Sequence, residues 1–193
     1  VAQAPLLQAP VRMWLVRPGA TGAANGDIAF ANMTYNQNHA GISFTPTVTN
    51  VSTNAAASAA TGTGTEGDIC SPAWITRLTS SAFFTAGRIN AYYVSGAFTG
   101  FNCTANRNIV FVGTTANNQT LAHEIGHSLS LAHTNTTADF GPNNIMVGGG
   151  AMRNHFSEGQ DFRMNLNATS TLNANGVRTG PTRNCPHTVN SAT

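Results

Sequence analysis

The stretch 121–133, LAHEIGHSLSLAH, limits the folds open to this chain more than any other. His123 and His127 are four residues apart. On an α-helix that is about 40° of rotation and one turn of rise, so both imidazoles can meet one ion. His133 comes six residues later. Continued as helix, it would stand about 240° round and about 9 Å along, out of reach. A site built from all three histidines therefore requires the helix to stop and the chain to fold back. The spacing predicts that Ser130, or a neighbour, ends the helix in a left-handed conformation with its hydroxyl bonded to nearby backbone. At a non-glycine residue that conformation costs roughly 1 kcal/mol or somewhat more. An unbroken helix through His133 would exclude the three-histidine site and promote Asp139.

Glu124 lies about 100° round the helix from His123. It is too close to its neighbour to share the ion comfortably, but it reaches a water bound there. This is the mechanical sense of HExxH, two zinc ligands and a general base. Zinc lowers the pKa of its water and polarises a scissile carbonyl, while Glu124 takes the proton and passes it to the leaving amine. A catalytic zinc takes three protein ligands and keeps one position open. His133 is the expected third ligand. The alternatives are Asp139, in a loop, and Glu158, which stands in a Ser157–Gln160 capping box and there serves a helix N-terminus.

Composition narrows the classes further. Only 8% of the 193 residues are charged, against roughly 25% in an average soluble protein. The positive charge is carried by nine arginines without a lysine, scattered and without a basic run, so a nucleic-acid partner is not expected. No apolar run approaches the ~18 residues of a membrane span, so no membrane association is expected. A chain of this length reads as one domain and a monomer. The Asn/Thr-rich uncharged surface is typical of secreted proteins. The start at Val1 reads as a mature form after removal of a signal and propeptide, or else as an arbitrary boundary. Cys70, Cys103 and Cys185 form no CxxC pair, which argues against a thiolate zinc site. They read as one disulfide and a free thiol, or as three unpaired thiols.

Along the chain, 11–17 reads as a strand and 27–39 as a helix stopped near Gly41. Residues 41–51 form a strand that Pro46 confines to an edge or splits. Residues 52–68 lack periodicity and read as a long loop. Ser71-Pro72 opens a helix running towards Gly87. Two strands follow, in 88–98 and 108–115, and then the histidine helix, entered through Asn118 or Thr120. Residues 134–154 are Gly/Asn-rich loop, and one last helix carries Phe162, Met164, Leu166 and Leu172. The helix after Cys70 and the strand before Cys103 are of similar length, which returns the chain and favours a Cys70–Cys103 disulfide. Trp14, Trp74, Met13, Met33, Met152 and Met164 read as core, and His39, His155 and His187 as isolated. The pattern is α/β over the first two-thirds, with a smaller loop-rich lobe carrying one helix behind it.

The segment HEIGHSLSLAH, 123–133, resembles the elongated zinc signature HExxHxxGxxH of the metzincin metalloendopeptidases. NNIMVGG, 143–149, resembles their Met-turn, which implies that Met146 lies beneath the zinc histidines. Ser130 stands where the family has glycine, and no tyrosine follows Met146 to add to the metal. The layout is most similar to secreted pappalysin-like and related bacterial members. The resemblance implies an N-terminal subdomain, 1–133, with a twisted, mostly parallel five-stranded sheet, two or three helices and the zinc helix. A C-terminal subdomain, 134–193, would hold the Met-turn and last helix. The fifth strand is expected within 48–69. The strand at 89–97 would be the sheet edge to which a substrate peptide adds, and 147–156 would wall the pocket for the side chain after the scissile bond. The expectation is a secreted zinc-dependent endopeptidase acting on polypeptides, with His123, His127 and His133 on zinc and Glu124 as base. The competing expectation is a non-catalytic, zinc-stabilised binding module, for which a base at Glu124 would be superfluous.

Overall fold

The computed structural model describes residues 7–37, 40–134, 141–148 and 153–174. It is a mixed α/β fold around a five-stranded sheet of order β2-β1-β3-β5-β4. The strands are β1 (Leu7–Leu15), β2 (Ile42–Asn50), β3 (Ile89–Tyr93), β4 (Gly100–Asn102) and β5 (Ile109–Val112). All pairings are parallel except β4 with β5. The helices are α1 (Thr21–Gln37), α2 (Ala55–Thr61), α3 (Pro72–Thr79), α4 (Thr120–Ser128), α5 (Glu158–Leu166) and α6 (Thr171–Ala174). No described helix is long and apolar enough to cross a membrane.

Alternation along the strands divides the core between the two faces of the sheet. Ile89, Ala91 and Tyr93 of β3 join Val110 and Val112 on the face covered by α1 and α4, while Tyr92, Ile109 and Phe111 turn to Trp74 and Leu78 of α3. β3 is buried on both faces, as a central parallel strand must be. Ile145, Met146, Phe156, Met164 and Leu172 belong to the same core as α1 and α4, so the later elements pack onto the sheet rather than forming a core of their own.

Several expectations need correction. The fifth strand is β4, not a segment within 48–69; three residues between two turns leave no hydrophobic period to read. The strand expected at 89–97 ends at Tyr93 and lies inside the sheet between β1 and β5. The edge on that side is β4. Within the expected loop 52–68, Asn54 accepts from the backbone N–H groups of Ala56 and Ala57 and starts α2. That helix is stabilised by capping and alanine propensity, which leave no apolar stripe. α1 starts six residues before the expected point because Ala24 packs on the sheet without a bulky side chain. The single last helix is two, α5 and α6. Met33 is 41% exposed rather than core. Pro46 does sit on an edge strand, β2, which it leaves unbroken.

Cys70 and Cys103 form a disulfide with Cα atoms 5.4 Å apart. It ties the approach to α3 to the end of β4, and a loop of this length contributes roughly 3–4 kcal/mol in the chain-entropy account. Cys185 lies outside the described residues.

Asp27 of α1 is buried and accepts a hydrogen bond from the Tyr93 hydroxyl at 3.0 Å. Burial raises its pKa from 3.8 to about 6, with Tyr93 and Arg17 acting the other way. The folded state therefore holds this proton more tightly than the unfolded chain. Stability contributed at this site is present below pH 4 and is lost as the pH rises through 6. Asp27→Asn keeps the acceptor and removes the charge. It is expected to stabilise the protein by roughly 1–2 kcal/mol at pH 8, less than the full linkage value because the new amide N–H groups also need partners in the buried site, and by nearly nothing at pH 3.5. Thermal melts of both proteins across that range test it; an equal gain at both pH values would refute the assignment.

Candidate metal centre and cleft

The site is built on α4, directly after β5. Asn117 accepts from the Gln119 N–H at 3.0 Å and turns the chain into the helix, whose first residue is Thr120, one of the two expected entry points. Leu121, Ala122 and Ile125 bury one face of α4 in the core, and the Tyr35 hydroxyl donates to the Ala122 carbonyl at 2.9 Å. These contacts fix the rotation of the helix about its axis. β4 crosses close above it: a Cβ on Gly100 would lie 2.5 Å from Thr120 Cγ2 and 3.2 Å from Glu124 Cγ.

α4 ends at Ser128, and Ser130 has φ of 72°. The Ser130 N–H donates to the His127 carbonyl at 3.0 Å and the Leu131 N–H to the Gly126 carbonyl at 2.9 Å. This is a Schellman motif with serine in the left-handed position usually given to glycine. The expected hydroxyl-to-backbone bond is absent from the described contacts. Ser130 Oγ instead meets Thr169 Oγ1 at 2.8 Å, 39 residues away, and Arg163 Nε donates to the Ser130 carbonyl at 2.7 Å. A tertiary clamp thus offsets the local strain. Ser130→Gly relieves the strain and loses the hydroxyl bond, so its stability is expected within about 1 kcal/mol of the parent. Ser130→Val, branched at Cβ and without the hydroxyl, is expected to lose roughly 2–3 kcal/mol. Chemical denaturation of the two variants checks both values; an unchanged valine variant would show that this turn is not under strain.

The reversal brings the third histidine back. His133 Nε2 lies 3.1 Å from His123 Nε2 and 3.2 Å from His127 Nε2. A tetrahedral ion held at about 2.1 Å from each nitrogen needs neighbouring nitrogens roughly 3.3 Å apart, so these three could hold a metal ion. The outer ring nitrogens agree. His123 Nδ1 lies 2.6 Å from the Ile145 carbonyl and His127 Nδ1 2.8 Å from the Leu131 carbonyl. A carbonyl only accepts, so each Nδ1 carries the proton and each Nε2 presents its lone pair to the shared point. Burial lowers the pKa of His123 to about 4 and also lowers that of His127, keeping both rings in the neutral form that binds metals.

The segment Asn144–Val147 supports the site from below. Ile145 orients His123, and the Met146 carbonyl accepts from the Thr134 N–H at 3.0 Å, just past His133. The Met146 side chain is fully buried against Gly126, where a Cβ would lie 2.3 Å from its sulfur. Gly126 thus admits the thioether beneath the helix turn that carries His127.

Glu124 stands next to His123 and is 5% exposed. Burial raises its pKa to about 8, and the Arg153 guanidinium acts in the opposite direction. Two cavities, of about 460 and 400 Å³, open on either side of the histidines, and Gly100, Glu124 and His133 line both. β4 therefore runs along the cleft.

Glu158 is the exposed first residue of α5, behind the capping Ser157, and is not among the clustered ligands. Asp139, His39, His187 and Met152 lie outside the described residues. Sequence reasoning missed Arg153, Arg107, whose Nη1 donates to the His127 carbonyl at 2.8 Å, and the Arg163–Thr169 clamp. No local spacing marks these three arginines in the sequence, and of the three only Arg153 is buried.

No protein-family model and no curated protein matches the chain. Among solved structures, it is similar to one described as "Structure of a chaperone-substrate complex", at 12% identity and a TM-score of 0.52. The match covers 90% of this chain and 40% of that one. At this identity the likeness speaks for the fold alone.

Proposed function

We propose that the protein is a secreted, zinc-dependent endopeptidase of metzincin type. The observation that carries this reading is the convergence of three imidazole Nε2 atoms, 3.1 and 3.2 Å from the central one, beside a buried carboxylate on the same helix. Zinc suits a nitrogen-only set of three ligands, and three protein ligands leave a coordination position open. His123, His127 and His133 would hold the ion, which when bound acidifies water and polarises a carbonyl.

The remaining chemistry belongs to the chain. Glu124 accepts the proton of the attacking water and delivers it to the departing amine. Arg153, together with the charge of the ion, favours the ionised form that a base requires. A substrate strand adds to β4 rather than to β3, whose two edges are already paired. Met146 fills the space under α4 and keeps the ligand-bearing turn in place. The Cys70–Cys103 disulfide fits an oxidising compartment such as the extracellular space.

Digestion of an unstructured protein such as casein, with and without chelator and with zinc restored, tests the reading. Cleavage that is lost on chelation and regained with zinc is expected. A protein that binds one zinc per chain and cleaves nothing would instead be the zinc-stabilised binding module.

A further inference from the structure

The cleft has a strongly uneven charge. Arg107 and Arg163 line the larger cavity and Arg153 the smaller, while Glu124 is the sole acidic residue lining either among the described residues. In a chain with so few charges, three of nine arginines facing one cleft produce a positive field there.

Arg153 is the most constrained of the three, at 5% exposure. Its backbone N–H and Nε donate to Gln119 Oε1 at 3.2 and 3.3 Å. Nη1 donates to the Val147 carbonyl and approaches His123 Nδ1 to 3.3 Å. Because that Nδ1 already gives its proton to Ile145, the approach is packing rather than a bond. Nη2 has no hydrogen bond to a described residue. The guanidinium is thus fixed along one edge and open along the other, towards a cavity it shares with His123, Glu124 and His133. Among the described residues Glu124 is its sole neighbouring carboxylate there, and proton transfer occupies that group. A desolvated guanidinium without a dedicated counter-ion is costly, and a ligand carboxylate is the group that matches its planar, two-pronged geometry.

We infer that Arg153 makes the cleft selective for an acidic side chain, Asp or Glu, at one of the two residues flanking the scissile bond. This rests on the endopeptidase reading. Arg153 is then a specificity-determining residue, and its fixed edge supplies the preorganisation that recognition needs.

The test uses the zinc-loaded protein and fluorogenic peptides that differ only at those two positions. Peptides with Asp or Glu at one position should exceed their Asn or Gln counterparts by about 10- to 100-fold in kcat/KM, mainly through KM. Arg153→Gln should abolish that preference and Arg153→Lys should retain part of it. Non-hydrolysing Glu124→Gln protein should show the same preference in peptide binding measured by fluorescence anisotropy. An Arg153 that merely braces Val147 and Gln119, or only tunes Glu124, would on substitution weaken acidic and neutral peptides by the same factor and leave their ratio as in the parent, and that outcome overturns the inference. Equal cleavage of both series by the parent protein also overturns it while leaving the endopeptidase reading intact. Failure to cleave any peptide in the presence of zinc removes that reading and the inference together.

Discussion

Glu124→Gln is expected to lower kcat/KM on a peptide substrate by about 10²–10⁴-fold, the range of a positioned general base, while zinc content and thermal stability stay near those of the parent. Glutamine has nearly the same shape as glutamate. The carboxylate is 5% exposed and burial raises its pKa to about 8, so the fold gains little from its charge. A loss of activity in this variant is therefore a loss of chemistry rather than of structure. Metal analysis, a thermal melt and peptide kinetics on one preparation make the comparison. Retention of full activity would remove Glu124 from the reaction, and with it the main reason for preferring an enzyme to a binding module.

The second large effect concerns His133. His133→Ala should weaken zinc binding by more than about 100-fold, because loss of an outer-shell partner alone already costs about 10- to 100-fold. Competition with a chromogenic chelator measures this directly. His133 is exposed and lies beyond the end of α4, so its removal should leave the fold in place, which circular dichroism would verify. An unchanged affinity would assign the third position elsewhere. Asp139 would then be the first residue to substitute, since Glu158 stands exposed at the start of α5.

The readable parts of the molecule were those governed by local period and spacing. The separation of His123 and His127 depends on helix geometry alone, and the need for a break before His133 follows from the same arithmetic. β1, β5 and the centre of β3 were legible because buried parallel strands are runs of apolar residues. The pairing of Cys70 with Cys103 was reached through the return of the chain after α3, although the helix is shorter than expected, with 8 residues. Elements with little side-chain signal were missed. α2 is mostly alanine and β4 is three residues between turns, so the apolar contacts they make, such as Phe101 on Phe111, span too few or too small side chains to show a period.

From the sequence alone follow the metal-binding helix, the requirement that it stop near Ser130, and the candidate base at Glu124. Each rests on chemistry within thirteen consecutive residues. Tertiary structure decided what makes that short stretch workable. Ser130 adopts the left-handed turn because Thr169 and Arg163 hold it from distant parts of the chain. His123 presents Nε2 because Ile145, 22 residues away, takes the proton side of its ring. Gly126 accommodates Met146, and β4 rather than β3 borders the cleft. Local spacing can state which atoms must meet, but strain relief, tautomer and charge balance depend on partners whose separation along the chain carries no period.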